Sequence, residues 1–242
     1  AAHSTRGDFD AFAAGFTIGP GARKPTNLMD SMTAGLCASA ESLLAHGQLR
    51  RLAGFASEIV AHYFPLTFEH IRSRLAAMCK EDSGLQFPFG GISLYPACTF
   101  NLGLHSVCFG HTDGSNYPGM PCTISPFGQY NATLGGHFIL FDFRLYFKFP
   151  SGCTVALSSA GLRHGNTQLA PGDKQYSFTQ YCSGGLIRYI AYGFRLVGPI
   201  PNAERDRIDA EMGEGWEAQL GRFLTWSSVL VDRKKLYDLE HC

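Results

Sequence analysis

The spacing of apolar positions divides the chain into two kinds of pattern. From residue 28 to residue 80 apolar residues recur every three or four positions: Leu36, Leu43 and Leu44; then Leu52, Phe55, Ile59, Val60 and Tyr63; then Phe68, Ile71, Leu75 and Met78. That period puts a stripe on one face of a helix, and Gly47 and Pro65 interrupt it, so the pattern predicts two or three helices. After Gly84 the period shortens. Brief apolar or alternating runs at 92–95, 98–103, 123–127, 136–141, 144–149, 154–158, 176–181 and 186–194 are separated by Gly, Pro, Asn and Asp, as short strands joined by turns would be. Pro199-Ile200-Pro201 closes this block. Beyond it, 202–223 reads as one helix whose Glu204, Asp206, Asp209 and Glu211 suit the positive end of a helix dipole. The first 27 residues, broken by Gly7, Gly15, Gly19-Pro20-Gly21 and Pro25, read as irregular surface chain.

Helices followed by a run of strands indicate an α+β class, with the helices buttressing one face of an antiparallel barrel or jelly roll. The expected organisation is a single domain over 1–242: an irregular segment at 1–27, helical support at 28–85, a β core at 86–200 and a C-terminal helical segment at 201–242. Composition agrees. Of 242 residues 45% are hydrophobic and 13% aromatic, which excludes a disordered chain. The 20 Lys and Arg balance 20 Asp and Glu, which argues against a sequence-blind nucleic-acid coat but leaves room for a local basic lip. Arg50-Arg51 and Arg233-Lys234-Lys235 are the notable basic clusters, and each reads first as a solvated face. No apolar run approaches the roughly 20 residues of a membrane span. The eight cysteines are scattered without a C-x-x-C pair, so they read as free, mostly buried thiols rather than zinc ligands or a disulfide framework.

The stretch richest in chemistry is Gly110-His111-Thr112-Asp113-Gly114-Ser115-Asn116. In a strand, residues i and i+2 point the same way, so His111 and Asp113 can offer an imidazole nitrogen and a carboxylate oxygen to one ion. A second His from a distant strand would complete a two-His, one-carboxylate face with open coordination positions, the geometry of non-haem Fe(II) oxygenases. His164, 53 residues later in Leu162-Arg163-His164-Gly165-Asn166, is the best candidate. A turn pairing of His111 with Asp113 is the competing reading. His105 and His137 read as core or rim residues, and His62 and His70 as packed in the helical part. No G-x-S-x-G, Walker or dinucleotide-binding motif occurs, and the β block holds few acids for glycoside hydrolysis.

The order of landmarks is more specific than any one of them. His111-x-Asp113-x-x-Asn116, Gly128, Gly135-Gly136-His137, Asp142, Phe149-Pro150-x-Gly152, Ser158, His164-x-Asn166, Gly172-Asp173 and Tyr176–Tyr181 before Gly184-Gly185-Leu186 resemble the TET/JBP family over roughly residues 95 to 195. The likeness is to the versions spread with fungal transposons or to an algal-type branch. It implies a double-stranded β-helix dioxygenase that uses Fe(II), 2-oxoglutarate and O2 to oxidise the methyl of 5-methylcytosine to 5-hydroxymethylcytosine or beyond. It also implies methylated DNA with a flipped base as partner, and a nuclear location. His111, Asp113 and His164 become the metal ligands, Asn116 a contact to the base, and Phe109, Tyr117, Tyr130 and Tyr181 candidate stacking partners. One position departs from the family. Where an Arg usually clamps the far carboxylate of 2-oxoglutarate, two residues before Ser177, this chain has Gln175, a neutral amide. Lys174, Arg163 and Arg188 are the cations considered as substitutes. The departure opens two further readings: another co-substrate, such as the ascorbate associated with an algal branch, or a non-catalytic binder of modified DNA.

Overall fold

The computed structural model describes residues 7, 9–19, 21–103, 106–198, 200–223 and 225–240. The chain is a mixed α/β protein with three helices near its start, α1 (Ala34–Ala45), α2 (Gly47–Tyr63) and α3 (Pro65–Glu81). As the spacing predicts, Gly47 opens α2 and Pro65 occupies the first turn of α3, where a missing N–H has no intrahelical partner to lose. The strands run as β1 (Ala11–Thr17), β2 (Thr26–Asn27), β3 (Ala97–Asn101), β4 (Cys122–Gln129), β5 (Phe138–Leu140), β6 (Leu145–Phe147), β7 (Val155–Leu157), β8 (His164–Asn166) and β9 (Lys174–Tyr181). They form two antiparallel sheets, β2-β1-β3-β9-β4-β7 and β6-β5-β8.

Alternation along the central strands decides what lies on each face of the larger sheet. Phe12 and Ala14 on β1, Cys98 and Phe100 on β3, and Phe178 on β9 pack with Ala40 of α1, Ala53 of α2 and Phe89. Phe100 and Phe178 have ring centroids 5.0 Å apart, and each buried side chain of this size contributes roughly 1.5–3 kcal/mol. The residues between them in sequence face the other way, so Thr99, Asn101, Ser177 and Thr179 look into a cavity between the sheets. The smaller sheet closes the far side. Residues 106–111 run along β8 as a poorly formed fourth strand, with Asn166 N donating to Cys108 O at 3.1 Å. Phe138, Phe149 and Leu157 fill the space between the sheets beside the cavity.

The structure departs from the sequence reading in four places. The first 27 residues contain β1, paired along β3. Gly15, read as a breaker, lies inside that strand at φ +96°, and a Cβ there would stand 2.1 Å from the Pro96 carbonyl oxygen. Residues 186–194 are not a strand: Gly184–Ala191 form helix α4, burying Leu186, Ile187, Ile190 and Ala191 at helical spacing. Residues 92–95 make no ladder either, because the Leu94 N–H is taken by the Ser57 hydroxyl of α2 at 2.8 Å. The span 202–223 is two helices, α5 (Asn202–Met212) and α6 (Trp216–Gly221), divided at Gly213 with φ +69°, and α7 (Val229–Glu240) follows. Among the described residues no helix is long and apolar enough to cross a membrane.

Candidate metal centre and its cavity

His111 and His164 exchange both backbone hydrogen bonds, His111 N to His164 O at 3.0 Å and His164 N to His111 O at 2.9 Å. This rung of the smaller sheet brings residues distant in sequence side by side, with imidazole centroids 4.5 Å apart. Each ring is oriented by its own chain. His111 Nδ1 lies 2.7 Å from the Phe109 carbonyl oxygen and His164 Nδ1 lies 2.8 Å from that of Leu162. A carbonyl only accepts, so each Nδ1 carries a proton, and in the neutral ring each Nε2 then presents a lone pair.

Those lone pairs converge on a carboxylate. His111 Nε2 is 3.6 Å from Asp113 Oδ1 and His164 Nε2 is 3.9 Å from Asp113 Oδ2, both beyond hydrogen-bonding range. The ligand atoms of all three residues lie within 4.8 Å of one another. Asp113 is held by its backbone, which donates to Ser159 O at 2.8 Å, and by Asn116, whose N–H donates to Asp113 O at 2.8 Å. The Asn116 amide nitrogen also approaches Asp113 Oδ2 at 3.4 Å and donates to Ser159 Oγ at 3.1 Å. Three electron-pair donors gathered in one place repel each other unless a cation sits among them. One carboxylate and two imidazoles on one side of an ion suit Fe(II) with positions left open, so the donor set fits the metal.

The triad opens onto a cavity of about 340 Å³ between the sheets. Asn116, Gln175, Ser177 and Tyr181, all expected at the site, line it. Lys174 and Arg188, also expected there, do not. β9 pairs with β4 without a bulge, Gly128 opposite Gln175 and Gln129 opposite Lys174, so Lys174 points to the other face and is exposed. Arg188 is exposed on α4 and lines a neighbouring cleft of about 610 Å³ that shares Ser115, Asn116 and Ser183 with the metal cavity. Arg163 lies at the rim, stacked over the Phe141 ring. Among the described residues no Lys or Arg lines the metal cavity. Its far end is built from Gln175, 3% exposed, and Asn166, joined by a 3.0 Å hydrogen bond. These neutral groups do not fit the second carboxylate of 2-oxoglutarate, which buried without a cation would be left uncompensated.

Other sequence expectations resolve as follows. Tyr117, a candidate stacking residue, is buried and bonded to Glu214 rather than placed at a mouth. His70 also pairs with Glu214, and His62 is exposed, so neither packs among apolar neighbours. His137 is half-buried against Thr167 and Tyr146 and does not line the cavity. His105 and Cys242 lie outside the described residues. Three of the seven described cysteines are buried, and burial pushes the Cys98 thiol up to about 12. Arg233 donates to the His62 carbonyl and covers the Tyr63 ring, tying α7 to α2. The sequence reading gave no role to Asn101 and Asn166, which line the cavity. For Asn166 the signal was present: it stands two residues after His164, at strand spacing.

No family model matches the chain, and no curated protein does. Solved structures do match. The fold is similar to that of NgTET1 in complex with 5mC DNA. The TM-score is 0.53 at 16% identity, over 72% of this chain and 61% of that one. The match thus spans less than two-thirds of the NgTET1 chain, and at this identity it speaks to the fold alone. It agrees with the TET likeness of the sequence at that level alone.

A second convergence of charge lies among the helices. Glu214, buried before α6, accepts from Tyr117 Oη at 2.6 Å and meets His70 Nε2 at 2.8 Å. Arg74 Nε stands 3.5 Å and Arg222 Nη2 3.9 Å from the same carboxylate. Burial, then the Glu214 charge, holds the Tyr117 phenol well above its ordinary range.

Proposed function

We propose that this chain is an Fe(II)-dependent dioxygenase that oxidises the methyl group of 5-methylcytosine in DNA to 5-hydroxymethylcytosine. The observation that carries the reading is the convergence of His111 Nε2, His164 Nε2 and an Asp113 oxygen at one end of a cavity, in a fold similar to NgTET1. The two sheets, completed by residues 106–111 along β8, correspond in this reading to a double-stranded β-helix. His111, Asp113 and His164 would hold the iron. Bound there, Fe(II) supplies the activation of O2 that methyl oxidation needs.

The remaining work falls to the chain's own residues. Phe109 and Leu162 carbonyls keep both imidazoles in the tautomer that leaves Nε2 free of a proton. Asn116 keeps Asp113 aimed, and its amide oxygen is an acceptor of the kind a cytosine amino group seeks. Tyr181, half-buried in the cavity wall, offers a face for a base. A methyl group cannot reach a buried metal from within a duplex, so the base must leave the stack. Exposed aromatic surface beside the His111 end supports this: Phe109 is 66% exposed, and a Cβ at Gly110, beside His111, would touch the Phe141 ring and come within 3.2 Å of Arg163 Nε. Aromatic faces interleaved with a guanidinium suit a displaced nucleic-acid strand. A nuclear location follows from that substrate.

Incubation with Fe(II), O2, methylated duplex and a panel of co-substrates that includes 2-oxoglutarate and ascorbate, read by mass spectrometry, tests the proposal. 5-Hydroxymethylcytosine is expected, and none with His111→Ala. Tight methyl-dependent DNA binding with no product under any co-substrate would replace this reading with that of a non-catalytic binder.

A further inference from the structure

We infer that the co-substrate end of the cavity is built for a metal-chelating 2-oxo acid whose far end is uncharged, and that it discriminates against 2-oxoglutarate. The inference rests on the metal reading above and adds the chemistry of the second ligand.

Position comes first. On β8, Asn166 follows His164 by two residues on the same face, about 6.6 Å further along the strand. A molecule gripping the metal with one end and reaching that far meets Asn166 and its partner Gln175. Orientation comes next. Asn166 Oδ1 accepts from Cys108 N at 2.6 Å, so its Nδ2 must point away, to Ser106 O at 3.2 Å and Gln175 Oε1 at 3.0 Å. That fixes the Gln175 amide with its oxygen toward Asn166 and its nitrogen on the other side, beside Gly136 and Tyr130. Gln175 Nε2 is fully buried. The Tyr130 hydroxyl donates to the Phe149 carbonyl, which leaves its oxygen turned toward Gln175 Nε2 as an acceptor. Ser177, two residues on and on the same face of β9, accepts from Asn101 Nδ2 at 2.8 Å and so has its hydroxyl proton to give.

The far end therefore offers neutral polar groups, the Ser177 hydroxyl and the side-chain amides of Gln175 and Asn166, with no cation among the described lining residues. A carbonyl or hydroxyl oxygen satisfies them. A carboxylate would bring a full charge and about four lone-pair sites into a place that answers only some of them. An amide in place of that carboxylate keeps the length and removes the charge.

The test is calorimetry under argon with the full chain loaded with Mn(II), titrated with 2-oxoglutarate, with 2-oxoglutaramate, its neutral-tailed amide, and with pyruvate, which has no tail. 2-Oxoglutaramate is expected to bind about tenfold or more tighter than either of the others, and Gln175→Arg is expected to reverse the order in favour of 2-oxoglutarate. Equal or tighter binding of 2-oxoglutarate by the unaltered chain would overturn the inference and leave the metal reading standing. Pyruvate binding as well as 2-oxoglutaramate would overturn it too, by showing that the tail is not held. Failure of Mn(II) itself to bind, with His111→Ala indistinguishable from the unaltered chain, would overturn the metal reading and this inference together.

Discussion

Asp113 and Glu214 are both buried carboxylates surrounded by nitrogen groups from remote segments, yet they are built for opposite ends. Around Glu214 the partners bring protons: a phenol O–H, an imidazole and two guanidinium groups. The charge is answered within the protein, and the cluster ties α3, the loop at Tyr117 and α6 together. Around Asp113 the two imidazoles direct their Nδ1 hydrogens to backbone carbonyls, so in the neutral rings what they turn toward the carboxylate is electron density. The difference lies in where the Nδ1 protons go. A carboxylate ringed by proton donors is a structural device, and one that shares its face with two imidazole Nε2 atoms can receive a cation.

The contrast makes its strongest prediction at the triad. His111→Ala or Asp113→Ala should reduce turnover by at least about a hundredfold while leaving the thermal midpoint of the metal-free protein unchanged or raised, since a repulsive cluster has been relieved. A large drop in that midpoint would mean the triad is a structural network after all. Glu214→Ala should do the reverse. It strands His70, Arg74 and Arg222 and should cost about 3–5 kcal/mol by urea denaturation, with turnover of the folded fraction kept. Adding Mn(II) at about one hundred times its Kd should stabilise the unaltered chain by about 2.7 kcal/mol and His111→Ala by far less. Stabilisation of both to the same degree would place the ion elsewhere.

The smallest effect belongs to Tyr117. Its phenol has a raised pKa in the folded chain, so its contribution is fully present below the unfolded value of about 10 and is lost as pH rises above it. Tyr117→Phe should cost about 1.5–3 kcal/mol at neutral pH, through the lost hydrogen bond to Glu214, and should flatten the decline in stability above pH 10. An unchanged alkaline decline would show that another group causes it.

The triad's ligands could be named from the sequence, but not for the reason that a strand period gives: Asp113 follows the His111 rung outside any strand, at the start of a turn closed by Asn116. The Glu214 cluster could not. Its members come from α3, a loop and the segment before α6, and nothing in their local sequence marks them as partners. The fold divides in the same way. α1, α2 and α3 announce themselves by a long apolar stripe and two breakers. β1 was hidden because Gly15 serves close approach to Pro96 rather than a turn, and α4 because Ile187, Tyr189 and Ile190 carry strand-forming composition on a helical period. β8 is the sharpest case: His164-Gly165-Asn166 has no strand propensity, and only pairing with Leu140 and His111 makes it a strand. Gln175 was noticed as a departure, but its amide could be oriented only once Asn166 and Cys108 were seen beside it.

The rung that joins His111 to His164 also polices alignment. Slipping β8 by one residue against its neighbour would turn that imidazole to the opposite face. In its place would come either Gly165, which has nothing to offer, or Arg163, whose positive charge would occupy the spot itself. The Arg163 backbone is pinned on its other side, its N–H to Asp142 at 2.6 Å and its carbonyl to Phe141 at 3.0 Å, so the hairpin at 140–145 acts as a stop. Lengthening that hairpin by a single residue should therefore silence the protein without unfolding it.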